Sequence, residues 1–194
     1  MFDKLLDLDK HIFLILNNWG SVPFDSFWLI ITKQSSWIPF FILLGYLLQQ
    51  KIGWKKLGVF IIFIALILLC CNTTVEICKT YFHRLRPCND LSIRHLIRIV
   101  HQSNSFSFFS GHAANSTATM VFIFLTLRKY YKYTLTIFLY PLVFAYSRIY
   151  LGVHFPADIL TGFVVGILFG IAFYKLYEYV DRHYLKIKAV KVHD

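Results

Sequence analysis

Charged residues are scarce in this sequence: they account for 15% of the 194 residues, whereas apolar residues account for 57%. A soluble domain carries charge on roughly a quarter of its positions, because charged side chains cover its surface. The composition therefore excludes an ordinary soluble domain and predicts an integral membrane protein.

Cysteine, proline and glycine are also infrequent, with 4, 5 and 9 copies. The cysteines show neither CxxC spacing nor a pattern with histidine that is typical of a metal site. Cys70 and Cys71 are adjacent, which makes them poor disulfide partners. The chain has no internal repeat and no linker rich in Gly, Ser or Pro, and its N-terminus lacks the features of a secretory signal peptide. We therefore expect a single domain over 1–194, without a metal or another cofactor.

Basic residues outnumber acidic ones, which gives a formal net charge of +10. Such an excess can indicate nucleic-acid binding, but here the basic residues cluster beside apolar segments, as in the cytoplasmic loops of membrane proteins. The clusters are Lys51, Lys55 and Lys56, then Arg128, Lys129 and Lys132, and finally Lys186, Lys188 and Lys191. We assign them to the cytoplasmic side and expect no nucleic-acid partner. The connections 81–108 and 151–156 then face the other side, although 81–108 is itself basic.

Five apolar segments are predicted to cross the bilayer as helices, namely 35–50, 56–80, 109–127, 132–150 and 157–177. A helix needs about 20 residues to cross the hydrocarbon, and the first segment is marginal by that measure. The predicted fold is therefore all-α, an integral membrane bundle of about five helices over 35–180.

The first 34 residues are more polar than these segments. Leu5, Leu8 and Ile12 recur at helical spacing, with Asp7 and Lys10 between them. This pattern predicts amphipathic helices that lie at the membrane interface in 1–34. At the other end of the chain, 181–194 is predicted to be a basic cytoplasmic tail.

Three polar segments are predicted to meet at one membrane face. The first is KTYFHRLRP, in which Lys79 and Arg86 are seven residues apart, so that two helical turns place them on one face before Pro87 ends the helix. A lysine and an arginine together suit phosphate oxygens. Taken alone, the pair is more typical of two cations at the end of a membrane helix.

The second segment is FSGHAANS, where Ser110, Gly111 and His112 open the third span. The start of a helix presents free N–H groups and a partial positive charge that bind anions. Ser110 can either cap the helix or donate to a phosphate oxygen, and Gly111 permits close approach to the backbone. Alone, the segment is also typical of ordinary capping.

The third segment is SRIYLGVHFPAD, which contains Arg148, His154 and Asp158. His154 and Asp158 are four residues apart, so Asp158 can accept from one imidazole nitrogen and leave the other free as a nucleophile. An acidic residue at a helix start would explain the pair without a function. Ionisable residues from separate helices at one end of a bundle are costly, however, and favour a functional site.

The order K-x6-RP, SGH and SR-x5-H-x3-D resembles the type 2 phosphatidic acid phosphatase (PAP2) superfamily, with matching positions from Lys79 to Asp158. Phe109 stands where the family usually has proline before the serine. The resemblance implies that His154 attacks phosphorus and forms a phosphohistidine, that Asp158 orients it, and that His112 protonates the leaving oxygen. Phosphate would be held, without a metal, by Lys79, Arg86, Ser110, Gly111 and Arg148.

The leading hypothesis is thus an integral membrane lipid phosphatase of the inner membrane whose site faces the periplasm or outer leaflet. Undecaprenyl diphosphate or a lipid A phosphate is the expected substrate, with phosphatidylglycerol phosphate or phosphatidic acid as the alternative. A vanadate haloperoxidase-like enzyme and a non-catalytic lipid-binding protein remain as other classes, and the sequence does not indicate an oligomeric state. Within 88–108, which we expect to be a lid or headgroup reader, Arg94 and Arg98 are candidates for binding a second phosphate.

Overall fold

The computed structural model describes residues 2–185, which form helices, with a long connection at 83–110, and contain no β-strand. The all-α class is confirmed. The α-helices are α1 (Phe2–Asn18), α2 (Asp25–Ile31), α3 (Ile38–Phe82), α4 (Gly111–Leu127), α5 (Leu139–Tyr150) and α6 (Pro156–Tyr184). The predicted basic tail lies outside the described residues from 186 onwards, including Lys186, Lys188 and Lys191.

Helix α3 contains both of the first two predicted spans. Only Gly53 departs from helical geometry within it, with φ 75° and ψ 166°, a conformation that favours glycine. The sequence predicted a connection at 51–56, but the structure interrupts the helix at Gly53 alone. The predicted connection is therefore too long.

The number of membrane crossings is a separate question from the number of helices. By length and composition, two helical stretches, Gln34–Asn89 and Pro156–Tyr184, could cross a membrane. Helices α4 and α5 are shorter, at 17 and 12 residues, and α5 is preceded by a 3-10 turn at Thr134–Phe138 within the predicted fourth span. Five crossings therefore remain a prediction.

Helix α4 is central, because it packs against α3, α5 and α6. Its contact with α6 is close since α6 presents glycines at four-residue intervals, Gly162, Gly166 and Gly170. A Cβ atom on Gly166 would lie 2.6 Å from the carbonyl oxygen of Ala114. Small residues at such an interface let helix backbones approach each other, as is common in membrane bundles.

Helix α1 packs against α5 and α6 through a face that the apolar pattern did not indicate. Asp9, Phe13 and Asn17 are buried, whereas Leu5 and Leu8 are more than half exposed. The amide of Asn17 donates to the carbonyl oxygens of Ile149 and Tyr150 at 3.0 Å. The leucine stripe thus points away from the protein, which is how an interfacial helix presents its apolar face to lipid.

Ion pairs show which connections lie beside each end of α6. Lys56 pairs with Asp181 at 2.7 Å, and Lys129 pairs with Glu178 at 2.8 Å. Two of the basic clusters therefore lie beside the C-terminal end of α6. The N-terminal end of α6 lies beside the connection that follows α3, through the ion pair between Arg84 and Asp158.

Substitution of Gly166 by leucine should destabilise the bundle, because the side chain would meet the α4 backbone. Overpacking of this kind costs about 1–3 kcal/mol, and we expect a lower midpoint of thermal unfolding for the detergent-purified protein. Gly58→Leu is the matched control, since no atom lies within 4 Å of a Cβ atom at Gly58. Equal melting of the two variants would contradict a tight contact between α4 and α6.

Candidate active site

His154 is the centre of the site and lies in the connection between α5 and α6. It is buried, and its Nε2 atom is 3.2 Å from Nη1 of Arg86. Because a guanidinium can only donate, Nε2 must accept and therefore carries the lone pair. The proton of the neutral ring is then on Nδ1, which faces the hydroxyl of Ser107 and the carboxylate of Asp158.

Asp158 lies close to His154, as the sequence predicted, but a third residue takes part. The distance from Nδ1 to Oδ2 is 3.6 Å, which is longer than a hydrogen bond. The hydroxyl of Ser107 donates to Oδ2 at 2.5 Å and is 3.4 Å from Nδ1. Ser107 therefore links the carboxylate to the imidazole, and the backbone N–H of Phe155 also donates to Oδ2, at 2.9 Å.

The other carboxylate oxygen of Asp158 accepts from Arg84 at 2.7 Å. The same guanidinium donates to Asp9 of α1 at 2.5 Å, and Asp9 also accepts from the backbone N–H of Ala157 at 2.8 Å. Asp9, Arg84 and Ser107 are not among the site residues that the sequence predicted. Arg84 counted there only as loop charge, and no local pattern distinguishes Asp9 from the other acidic residues of α1.

Arg86 does not share a helical face with Lys79, so the geometric argument from their spacing is wrong. Helix α3 ends at Phe82, and His83 adopts the left-handed conformation with φ 48°. Arg86 lies in the extended segment beyond it, where its guanidinium donates to Ser105 and to the carbonyl oxygen of Val153. Burial lowers the pKa of Arg86, but the starting value is so high that the side chain remains charged.

The other predicted cations lie on α3 and α5. Arg148 is buried and donates to Thr32 at 2.8 Å, while its Nε atom has no hydrogen-bond partner within 2–185. Lys79 pairs with Glu76 of its own helix at 2.8 Å, and its side chain is 13% exposed. The positive charges of Arg148 and Lys79 act electrostatically on the ring of His112. The charges of Arg86 and His154 do so as well.

The segment Ser110–His112 opens α4, as predicted. The side chain of Ser110 caps the helix by accepting from the N–H of Ala113 at 3.4 Å, and its own N–H donates to the carbonyl oxygen of Asp158 at 3.0 Å. A Cβ atom on Gly111 would be 3.4 Å from Val75, an ordinary contact, so packing alone does not require glycine there. The ring of His112 packs 5.2 Å from that of Phe144.

The arrangement suits an anion. Buried Arg86 and Arg148 flank His154, whereas the buried carboxylate of Asp158 is already paired with Arg84. Buried charges are costly unless they are compensated, and the start of α4 adds its own partial positive charge. A phosphate group would supply the missing negative charge.

Arg98, a predicted candidate for a second phosphate, is already paired within the protein. Arg98 donates to both carboxylate oxygens of Asp25, at 2.7 and 3.0 Å, and lies over the ring of Tyr150. Its guanidinium therefore fixes α2 to the connection after α3. A second phosphate site at Arg94 and Arg98 stays a prediction.

Comparison with protein families matches residues 56–182 to the model of the PAP2 superfamily. This match covers more than half of the chain and includes every candidate site residue from Lys79 to Asp158. The chain belongs to the PAP2 superfamily.

Individual relatives extend this match over most of the chain. It is 30% identical to the lipid A 4'-phosphatase of Bacteroides thetaiotaomicron, over 90% of this chain and 79% of that protein. It is also 30% identical to the lipid A 4'-phosphatase of Porphyromonas gingivalis, over 94% and 78%.

A crystal structure supports the fold. The transmembrane PAP2-type phosphatidylglycerolphosphate phosphatase of Bacillus subtilis superposes with a TM-score of 0.71 at 21% identity, covering 93% of this chain and 89% of that one. The chain therefore has the fold of this transmembrane protein, and two of its helical stretches are long and apolar enough to cross a membrane.

His154 should remain neutral well below the pH at which histidine usually titrates. Burial is the main cause that lowers its pKa from 6.5 to about 4, and Arg86 and Arg148 act in the same direction. As the pH falls from 6.5 the ring therefore stays unprotonated until about 4. NMR of protein labelled with 15N-histidine, with His154→Gln for assignment, should show a neutral ring at about pH 5.5. Titration near 6.5 would contradict the buried geometry.

Proposed function

We propose that this PAP2-superfamily protein is a metal-independent lipid phosphatase that removes a phosphate from lipid A through a phosphohistidine intermediate. The observation that carries the proposal is the buried His154, whose Nε2 lone pair faces the guanidinium of Arg86. A neutral imidazole whose protonated nitrogen is held by hydrogen bonding has the lone pair of its other nitrogen available for attack once phosphate takes over the guanidinium of Arg86.

In the first step, Nε2 of His154 attacks phosphorus. The new N–P bond forms as the bond from phosphorus to the lipid oxygen breaks, and the bonding pair of electrons leaves with that oxygen. His112, in its protonated form, donates the proton that this oxygen needs and is left as a neutral imidazole. The imidazole becomes positively charged, and its Nδ1–H points to Ser107 and Asp158.

In the second step, water attacks phosphorus and loses a proton to His112. The N–P bond breaks, its electron pair returns to Nε2, and inorganic phosphate is released. His154 is neutral again, and His112 has recovered its proton.

The cations account for the remaining part of the chemistry. Arg86, Arg148, Lys79 and the N-terminus of α4, with Ser110 and the N–H of Gly111, would hold the phosphoryl oxygens as their charge redistributes. Donors that are fixed before the reaction stabilise such charge most effectively. The free Nε of Arg148 supports this assignment, because it is a buried donor without a partner within 2–185.

Lipid A is the substrate that the relatives favour. Both relatives named lipid A 4'-phosphatases align with at least 90% of this chain and with more than three quarters of their own length. The site lies at the end of the bundle opposite to the basic clusters at 51–56 and 128–132, which supports a site facing the non-cytoplasmic side of the inner membrane.

The direct test is phosphate release by detergent-purified protein in the presence of EDTA. The substrates would be lipid A, undecaprenyl diphosphate, phosphatidylglycerol phosphate and phosphatidic acid. We expect lipid A to be hydrolysed fastest and His154→Ala to lose about a thousandfold or more of the activity, as nucleophile variants do. His11→Ala, at an exposed position of α1, should match the wild type.

Each departure from this result has a distinct meaning. Faster release from another lipid would replace lipid A and retain the histidine mechanism. Activity that EDTA abolishes would contradict a metal-independent reaction, and activity that survives in His154→Ala would contradict the phosphohistidine.

The orientation of the site can be tested with single cysteines in a chain whose four native cysteines are replaced. Leu91 in the connection after α3 is 77% exposed, and Tyr133 near the basic cluster 128–132 is 74% exposed. In intact spheroplasts, a membrane-impermeant maleimide should label Leu91→Cys, whereas Tyr133→Cys should react only after lysis. The reverse pattern would invert the proposed topology.

A further inference from the structure

The N-terminal helix contributes a charged residue to the network behind His154. Asp9 of α1 pairs with Arg84, Arg84 pairs with Asp158, and Asp158 lies beside the Nδ1 side of His154. The three charged groups therefore form a continuous row that begins on α1 and ends at the proposed nucleophile.

Anchoring α1 to the bundle does not require this carboxylate. Phe13 is fully buried and packs edge-on against Phe155 at 5.3 Å. Asn17 is fully buried as well and hydrogen-bonds to the connection after α3 and to the end of α5. A buried ion pair contributes little net stability, because desolvation offsets the attraction, so the position of Asp9 calls for a different explanation.

The net charge of Asp9, Arg84 and Asp158 explains why a carboxylate lies at position 9. Asp158 and Arg84 alone would cancel, and His154 would then face no net negative charge on its Nδ1 side. With Asp9 included, the row carries a net charge of −1. His154 becomes positively charged when its Nε2 binds phosphorus, and a negative charge nearby stabilises that state.

The other ionisable groups around His154 oppose a positive charge on its ring, so a negative charge behind the ring is needed to offset them. Arg86 comes from the connection after α3, Arg148 from α5 and His112 from α4, and the charges of these groups oppose a positive imidazole. Asp158 of α6 is the adjacent acidic group, and it is already shared with Arg84.

We propose that Asp9 is a positioning residue of the active site, which holds Arg84 against Asp158 and keeps the row behind His154 negatively charged. Helix α1 thereby completes the site in addition to lying at the membrane interface. This inference rests on the proposed function for its kinetic consequence, but its electrostatic consequence can be measured without any substrate.

The substrate-free test is the protonation of His154 in Asp9→Asn. Asparagine has the shape of aspartate and can still accept from Ala157, so the variant removes mainly the charge. Loss of a negative charge disfavours the protonated imidazole, and the pKa of His154 should therefore fall further. Histidine NMR at about pH 4, where the wild-type ring is partly protonated, should show a smaller protonated fraction in the variant. Asp7→Asn, an exposed position of the same helix, should show no change.

The kinetic test uses the lipid that the wild type hydrolyses. In Asp9→Asn we expect kcat to fall by about tenfold, the equivalent of one pKa unit of charge stabilisation, while KM stays nearly unchanged. Asp9→Glu should recover part of the loss because it restores the charge. A purely structural role would lower the fraction of active protein without changing the protonation of His154.

Arg84→Lys provides a second, independent variant. One ammonium group retains the charge but lacks the planar fork that donates to two carboxylates at once, so kcat should fall here as well. Unchanged His154 protonation and unchanged kcat in Asp9→Asn would overturn the inference, even with an active wild type. An inactive wild type would refute the proposed function alone, because the NMR result would still decide the role of Asp9.

Discussion

The arrangement of the site depends on the burial of one carboxylate, that of Asp158. The residue has no exposed surface, and a buried carboxylate is stable only when its oxygens are hydrogen-bonded or paired. Arg84, Ser107 and the N–H of Phe155 meet this requirement, and the backbone of Asp158 also binds Ser110. The need to satisfy one charge thus brings together the ends of α4 and α6 and the two segments of the connection after α3.

The packing of α6 on α4 makes this burial possible. A Cβ atom on Gly162 would lie 2.7 Å from the carbonyl oxygen of Ser110, so only glycine lets the start of α6 approach the start of α4 this closely. The same closeness allows the N–H of Ser110 to reach the carbonyl oxygen of Asp158 at 3.0 Å. Interhelical packing and site geometry therefore have a common origin in the small residues of α6.

Local sequence patterns predicted the parts of the site that belong to helix ends. Ser110 caps α4 as expected, and His154 and Asp158 flank the start of α6 as their spacing indicated. Such local patterns cannot predict contacts between segments that are far apart in the sequence. Ser107 meets Asp158 across 51 positions and Arg84 meets Asp9 across 75, and helical spacing carries no information about either. The shared face for Lys79 and Arg86 failed for a related reason, because α3 ends at Phe82.

Helix α1 shows how a membrane environment changes the interpretation of an amphipathic pattern. In water, the apolar stripe of a surface helix faces the core. Here the stripe with Leu5 and Leu8 faces outward, while Asp9 and Asn17 are buried. At the predicted membrane interface, lipid would accept these apolar side chains, and the inward face would be free to carry polar residues. A charge on that face must nevertheless be compensated by the protein, and Asp9 meets this requirement through Arg84 and the start of α6. The inward polar face of this predicted interfacial helix can therefore carry residues that act on the site.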